Sequence, residues 1–234
     1  MEARIILSTL LLIINRQEEL RMGPIRFYVW ILLATCEQNC DDTDIAIQHF
    51  RHTLALVDNS PTLKAVLAQD AIHDARYRLA QMYITTGKSR EALPLLSAVV
   101  DDLHAQDPSS PLLLSSEDVL ARIHLRLNQP ESAIRLLTTV IERRRKLLGV
   151  SDVNFLRAQT ISVEAYMAVG KLILAERVFS QVEDACKVSL SLQGALRGEM
   201  TELANKLQGM HDALNKQESL GDADDVNELP KSKL

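Results

Sequence analysis

The chain has 234 residues, of which 47% are hydrophobic and 24% are charged, the balance of an ordinary globular protein that is long enough to bury a core. Its formal net charge is −5, which disfavours nucleic-acid binding, a function that usually needs a basic excess. Three cysteines do not indicate a disulfide framework, and the sequence has no Asn-x-Ser/Thr glycosylation site, so both observations favour a reducing compartment.

The first predicted element is an apolar helix within residues 1–22. The run from Ile5 to Ile14 is nearly all apolar, but it is shorter than the about 20 residues that span a bilayer. Its length fits the core of a secretion signal, yet no net positive charge precedes it and no small-residue cleavage site follows it. We expect a buried N-terminal helix that caps the following repeats, with a secretion signal as the alternative.

A repeated pattern fills most of the remaining chain. Small residues recur with steps of 46, 41 and 42 residues, and a large apolar residue follows each of them four positions later. A period of this size predicts stacked helical hairpins, in which the small residue lets the second helix approach the first. The small residues are Ala46, Ala92, Ala133 and Ala175, and the large residues are Phe50, Leu96, Leu137 and Phe179.

Turn residues separate the helices of each predicted hairpin. Gly87 and Gly170 fit a positive φ at the end of a first helix, and Asn128 is the next best residue for that position. The cluster of residues 42–44 and Ser89 are predicted helix caps, Pro130 fits the first turn of a helix, and residues 107–111 are predicted to form a loop.

The pattern Leu79-Ala80, Tyr83, Gly87, Ala92, Leu96, Val99 resembles the tetratricopeptide repeat. Steps near 42 residues are similar to the long-unit type of kinesin light chains, and residues 143–152 resemble the link between units of that type. The first repeat lacks the tyrosine and the glycine, and no His-Pro follows Gly149. Over residues 24–190 the resemblance implies an all-α, TPR-like α-α solenoid of about four repeats, a right-handed superhelix of helical hairpins with capping helices.

Two shorter stretches carry a narrower resemblance. Residues 21–27 before the first repeat, and residues 112–115 leading into Ala121 to Leu125, are similar to the C-terminal TPR region of the twelfth subunit of the trafficking protein particle (TRAPP) tethering complex. The resemblance implies a subunit of a membrane-trafficking complex.

The C-terminal region begins with a predicted helix at residues 194–216. Its apolar residues follow a 4-3-4-3-4 spacing, which is typical of a capping helix or of a short coiled coil that forms dimers. They are Leu196, Met200, Leu203, Leu207, Met210 and Leu214. Residues 217–234 are polar and acidic and are predicted to be a disordered tail. The tail ends in Ser232, Lys233 and Leu234, a sequence that reads as a peroxisomal import tag.

Motifs for chemistry are absent from the sequence. It has no phosphate-binding glycine loop, no nucleophile elbow and no His-Glu-x-x-His motif, so we expect no enzymatic activity, no cofactor and no metal. His124 is interpreted as a packed side chain. A zinc site at Cys36, Cys40, His49 and His52 is the alternative for that cluster, but its spacing departs from the usual zinc ligands.

The predicted functional site is a groove. In the family that the chain resembles, partner peptides lie against the first helix of each repeat, and the register puts Ile84 and Asp118 on the same inward face. The lysine and asparagine positions of the chaperone-binding members hold Ile31, Thr35, Tyr77 and Gln81 here, so that carboxylate clamp is not expected. The predicted groove residues are Tyr28, Gln38, Tyr77, Gln81, Arg122, Arg126, Arg157 and Glu164.

The resemblance and the groove together predict a non-enzymatic protein-protein interaction scaffold. Its expected partner is a protein or a peptide within a multiprotein complex, with no nucleic acid and no membrane span. The expected location is cytoplasmic, with the peroxisome as the alternative. A peroxisome-targeted scaffold and a kinesin-light-chain-like cargo adaptor are the other functions that the sequence leaves open.

Overall fold

A computed structural model describes residues 2–16, 23–40, 42–188 and 190–225 of the chain. All regular secondary structure in these ranges is α-helical, which confirms the predicted fold class. The eleven helices of the described residues are α1 (Glu2–Arg16), α2 (Gly23–Asn39), α3 (Thr43–Asp58), α4 (Pro61–Val66), α5 (Gln69–Thr85), α6 (Ser89–Gln106), α7 (Pro111–Arg126), α8 (Pro130–Leu148), α9 (Val153–Ala168), α10 (Leu172–Val188) and α11 (Leu190–Asp225).

The helices form two compact units. Unit 1 comprises Met1–Leu127 and unit 2 comprises Asn128–Leu234. In unit 1, α2 packs on α3, α5 packs on α6, and α6 packs on α7, so that consecutive helices are neighbours. In unit 2, α9 packs on both α8 and α10, and α11 packs on both α9 and α10.

The repeated small residues lie in the buried core. Ala46, Ala92, Ala133 and Ala175 are all fully buried, as a position between the two helices of a hairpin requires. The large residues Phe50, Leu96 and Leu137, one turn further along, are also fully or almost fully buried. Phe179 is half-buried, although it packs against the buried core of unit 2.

The predicted turns have the expected backbone conformation. Gly87 has a φ of 77° and Gly170 a φ of 73°, and Asn128 has a φ of 56°. After each of the two glycines, the next residue donates its N–H to a tyrosine carbonyl five positions earlier, at 2.7 Å for Lys88 and 2.9 Å for Lys171. This closure satisfies carbonyl groups that a helix end would leave without partners.

Two of the predicted helix starts differ from the structure. Ser89 is the first buried residue of α6 rather than its cap, which is Lys88. Asp42 does precede α3, but its side chain caps no N–H group and instead accepts a hydrogen bond from Arg4 at 2.9 Å. Pro130 begins α8 as predicted. The ion pair with Arg4 competes for the carboxylate that would otherwise cap α3.

The short helix α4 accounts for the longest step in the repeat. Ser60 caps it by accepting a hydrogen bond from the N–H of Leu63 at 3.3 Å. The helix lies between the second helix of the first hairpin, α3, and the first helix of the next, α5. The inserted turn explains why the first step has 46 residues while the later steps have 41 and 42.

The expectation of a buried N-terminal helix is wrong for α1. One face of α1 packs on α2, where Leu7 contacts Val29, and Arg4 reaches Glu37 at 3.3 Å. Five apolar side chains on its other faces, Ile5, Ile6, Leu10, Leu12 and Ile13, are 40–66% exposed, and no element among the described residues of unit 1 covers them. Within the described part of the chain, none of the helices has the length and apolar character needed to cross a membrane.

The C-terminal helix α11 is longer than the predicted helix at residues 194–216, since it extends to Asp225. Its apolar seam packs on its own unit. Leu196 joins Phe155 and Val182 in one buried cluster, while Leu203 and Leu207 join Val163 in another. Part of the predicted disordered tail is thus helical, and the final residues, including Ser232, Lys233 and Leu234, lie outside the described residues.

Candidate partner-binding groove

A groove of about 540 Å³ opens on unit 1 among α2, α3, α5 and α7. Its floor is largely apolar and its rim is polar. We refer to it as the unit 1 groove, and its lining residues are Gln38, Thr43, Gln81, Met82, Ile84, Thr85, Val119, Arg122 and Arg126.

Helical spacing explains why these side chains meet. Residues three or four positions apart lie on the same face of a helix. Gln81 and Thr85 therefore point the same way from α5, and Val119, Arg122 and Arg126 form one line along α7. The first helices of successive repeats thus supply most of the groove.

Hydrogen bonds hold the polar rim in place. Gln81 donates from its side-chain nitrogen to the hydroxyl of Tyr77, one turn earlier on α5, at 2.8 Å. Arg126 donates from Nη1 to the backbone carbonyl of Ile84 at 2.6 Å. That carbonyl lies in the last turn of α5, where carbonyl groups lack partners within the helix. A guanidinium group has five N–H donors, so this bond leaves donors for a ligand.

The charge of the groove is one-sided. Two arginines and no carboxylate occur among the described residues that line it. Arg122 is half-buried beside the apolar side chains of Met82 and Val119. Partial burial weakens the screening of charge by water, so a carboxylate that bound here would be attracted more strongly than at an open surface.

The structure brings together half of the predicted groove residues. Gln38, Gln81, Arg122 and Arg126 line the unit 1 groove, and Tyr77 reaches it through its hydrogen bond to Gln81. Tyr28 is 44% exposed on α2 and meets the ring of Phe27 edge-on, but it does not line the groove.

The other two predicted residues lie in unit 2, where both contact α11. Arg157 pairs with Glu199 at 3.6 Å, and Glu164 pairs with Lys206 at 3.4 Å. The pKa of Lys206 is raised, chiefly by its hydrogen bond to Glu202, with Glu164 adding a smaller effect. These residues of α9 are therefore engaged within the chain.

Sequence reasoning missed Thr43, Met82, Thr85 and Val119 as lining residues. The register placed Asp118 on the inward face, but Asp118 is buried and the next residue, Val119, lines the groove. Val119 could have been identified from the sequence, because it lies three residues before Arg122 and seven before Arg126 and therefore shares their face of α7. Thr43 was interpreted only as part of a helix cap.

The alternative zinc cluster has a different arrangement. The ring of Trp30 lies against the rings of His49 and His52, with centroid distances of 4.8 Å to each. Burial lowers the pKa of His49, while the nearby Glu37 opposes that shift. Cys36 and Cys40 are free thiols. Over the described ranges, no three His, Cys, Asp or Glu side chains are grouped so that they could hold a metal ion.

Paired helices, buried small residues and tight turns with positive φ define the fold class, a helical repeat of the tetratricopeptide type. Residues 113–154 match the family model described as "Tetratricopeptide repeat", so the chain contains a repeat of this family. No curated protein matches the sequence.

Solved structures share this fold. The chain is similar to the nearly identical TPR-like repeats of a kinesin-light-chain-type protein from Podosopora anserina, with 23% identity, a TM-score of 0.67, and coverage of 80% of this chain and 88% of that one. It is also similar to BtubC (BKLC) from P. vanneervenii, with 14% identity, a TM-score of 0.61, and coverage of 100% and 94%. At these identities the likeness establishes the fold alone.

A further similar structure is a Rap protein complexed with Competence and Sporulation Factor, with 15% identity and a TM-score of 0.60. The match covers 82% of this chain and 52% of the Rap protein. The chain therefore spans about half the length of that protein and shares its helical-repeat fold over that part.

Proposed function

We propose that the chain is a non-enzymatic scaffold that binds a peptide segment of a partner protein in the unit 1 groove. The observation that carries the proposal is the composition of that groove, in which Arg122 and Arg126 flank an apolar floor on the first helices of successive repeats. An extended segment that has apolar side chains next to an acidic one complements this surface.

The structural neighbours support a peptide as the ligand. One Rap protein in this group is complexed with Competence and Sporulation Factor, and another, from the plasmid pLS20, is in complex with the Phr* peptide. Arginine is also among the residues that most often dominate the binding energy of an interface. Arg122, a half-buried residue of the groove lining, is our proposed anchor for the acidic side chain.

The test uses the purified chain and a fluorescent library of short peptides that vary in charge and apolar content. For the tightest peptides, we expect Arg122→Ala to weaken binding about tenfold, since truncation of an anchor typically costs 1–2 kcal/mol. Arg90→Ala, at an exposed position of α6 outside the groove lining, is the matched control and should leave the affinity unchanged.

Two results would contradict the proposal. One is that no library peptide binds the folded chain in the micromolar range that single peptide sites commonly reach. The other is that Arg122→Ala and Arg90→Ala weaken binding equally, which would put the site elsewhere. Helix content from circular dichroism, measured for each variant, separates a lost contact from a lost fold.

We further propose that the partner belongs to a membrane-trafficking tethering complex and that the chain is cytoplasmic. Support comes from the resemblance of residues 21–27, 112–115 and 121–125 to the C-terminal repeats of the twelfth TRAPP subunit. Reconstitution tests this directly, because the purified chain should co-elute with recombinant tethering subunits in a fixed ratio. Separate elution at micromolar concentration would rule out these tethering subunits as partners.

A peroxisomal scaffold is the second candidate, favoured by the terminal Ser232, Lys233 and Leu234. The chain tagged at its N-terminus should then coincide with peroxisomal markers, and removal of the last three residues should make it diffuse. Identical diffuse distributions would exclude the tag.

A cargo adaptor of the kinesin-light-chain kind is the third candidate, favoured by the similarity to TPR-like repeats of that kind. Recruitment of the chain to a recombinant motor heavy chain, measured by co-sedimentation with microtubules, tests this role. If the motor heavy chain does not increase the amount of the chain that sediments with microtubules, the adaptor role is excluded.

A further inference from the structure

The helix α1 has an apolar surface that the described residues of unit 1 leave exposed. Ile5, Ile6, Leu12 and Ile13 are 54–66% exposed, and Leu10 is 40% exposed. Isolated exposed apolar residues are ordinary, whereas a contiguous apolar surface on one helix marks an interaction site. We refer to these five side chains as the α1 ridge.

The pattern of the ridge indicates what kind of surface covers it. Ile6, Leu10 and Ile13 follow one line along the helix with spacings of four and three, and Ile5 and Leu12 form a second line about 100° around the helix, with the exposed Thr9 between the two lines. A single two-stranded seam needs only two positions of each heptad. The ridge is therefore wider than the seam of a two-stranded coiled coil, so the surface that covers it must be equally broad and apolar.

The charge of α1 disfavours a lipid surface. No ionisable residue occurs from Ile5 to Ile14. The nearest cation, Arg4, already pairs with Glu37 and with Asp42. Helices that lie on membranes carry several lysines or arginines on their polar face to attract anionic lipids, whereas α1 has two arginines, Arg4 and Arg16.

We propose that the α1 ridge pairs with the α1 ridge of a second copy of this chain across a two-fold axis. An uncharged apolar surface complements itself, and a two-fold dimer places the same patch on both partners. The apolar seam of α11 is not available for this role, because Leu196, Leu203 and Leu207 are buried within unit 2.

The area of the ridge suits a dimer of moderate affinity. At the observed exposures the five side chains present on the order of 500 Å² per copy, so that a symmetric pair that covered all of them would bury roughly 1,000 Å², the lower limit for a specific interface. A dimer that dissociates in the micromolar range is the consequence, since this area is below that of a standard interface.

Sedimentation equilibrium of the purified chain over a range of micromolar concentrations tests the proposal. The chain has a mass of 26.2 kDa, and we expect the average mass to rise toward twice that value with concentration. The double variant Ile6→Lys/Ile13→Lys should raise the dissociation constant at least a hundredfold and leave a monomer. Both positions are exposed in the monomer, so its helix content should not change.

The matched control is Val66→Lys/Ile173→Lys, which adds the same charge at positions that are 71% and 75% exposed on other helices. It should dimerise like the unchanged chain. An unchanged chain that stays monomeric over the whole concentration range would overturn the proposal, as would a ridge variant that still dimerises. Binding of the chain to phosphatidylserine vesicles that the ridge variant loses, without any dimer, would also overturn it in favour of a membrane surface.

Discussion

The predicted inward face of a first helix lines an open groove in unit 1 and contacts another helix in unit 2. In unit 1 the first helices α5 and α7 leave Gln81, Arg122 and Arg126 on an open groove. In unit 2 the first helix α9 has Arg157 and Glu164 on the corresponding predicted face, and both contact α11. The repeat pattern therefore determines the direction of these side chains, whereas a later segment of the chain determines whether they reach solvent.

The largest expected effect tests whether α11 is an integral part of unit 2. Leu203 is 1% exposed and packs in the cluster of Val163 and Ala175. We expect Leu203→Ala to lower the free energy of unfolding by about 3 kcal/mol, since truncation leaves a cavity. Urea denaturation followed by circular dichroism measures this. Leu147→Ala, at a half-exposed position of α8, is the control and should cost less than about 1 kcal/mol. Equal costs would mean that α11 is only loosely attached.

The next effect compares equivalent turns in the two units. Gly87→Ala in unit 1 and Gly170→Ala in unit 2 should each cost about 1–2 kcal/mol, because both positions have positive φ. A Cβ at either position meets nothing within 4 Å, so backbone strain is the sole expected cost and the two values should agree. Chemical denaturation measures both. A several-fold difference would show that the two turns are not equivalent.

A smaller effect concerns the ion pair between α9 and α11. The side chains of Arg157 and Glu199 are 34% and 32% exposed, so solvent screens their pair. A double-mutant cycle with Arg157→Ala and Glu199→Ala should give a coupling of about 0.2–1 kcal/mol. A coupling above about 2 kcal/mol would make this pair, rather than the leucine seam, the main attachment of α11.

The smallest expected effect is a pH dependence within unit 1. Burial lowers the folded-state pKa of His49, so the unfolded chain takes up the proton first as the pH falls. Stability from this group is complete above the unfolded pKa near 6.5 and decreases as the pH falls from there toward the lowered folded pKa. Urea midpoints measured from pH 8 to pH 5 should show this slope. The variant His49→Gln should show a smaller dependence of the urea midpoint on pH. An unchanged dependence would mean that other titrating groups cause it.

Local patterns made much of the fold predictable. The buried alanines at 46, 92, 133 and 175 and the positive φ at Gly87, Asn128 and Gly170 follow from steric requirements that a few neighbouring residues determine. The helix α4 was not predicted, because a single turn is too short to show a helical period. Asp118 and Val119 exchanged their expected roles, because a shift of one residue rotates a helical side chain by about 100°.

The sequence predicted the type of site, a groove on the first helices of the repeats, but only some of the residues that line it. The sequence identified the helices that line the groove and five of its nine lining residues. Arg122 and Arg126 are four residues apart on one helix face, and Gln81 and Arg122 have equivalent positions in successive repeats. It did not separate these from Arg157 and Glu164, because the covering helix α11 is about 40 residues further along the chain. No local period reports a contact at that distance.

The sequence by itself determined that the chain forms paired helices with close contacts at small residues, because hydrophobic period and turn chemistry act within a few residues. The tertiary structure decided which faces meet water. It covers α9 with α11, opens the unit 1 groove, and leaves the α1 ridge exposed. The physical reason is that burial depends on the sum of contacts between distant segments, and an apolar face has the same sequence pattern whether or not another helix lies on it.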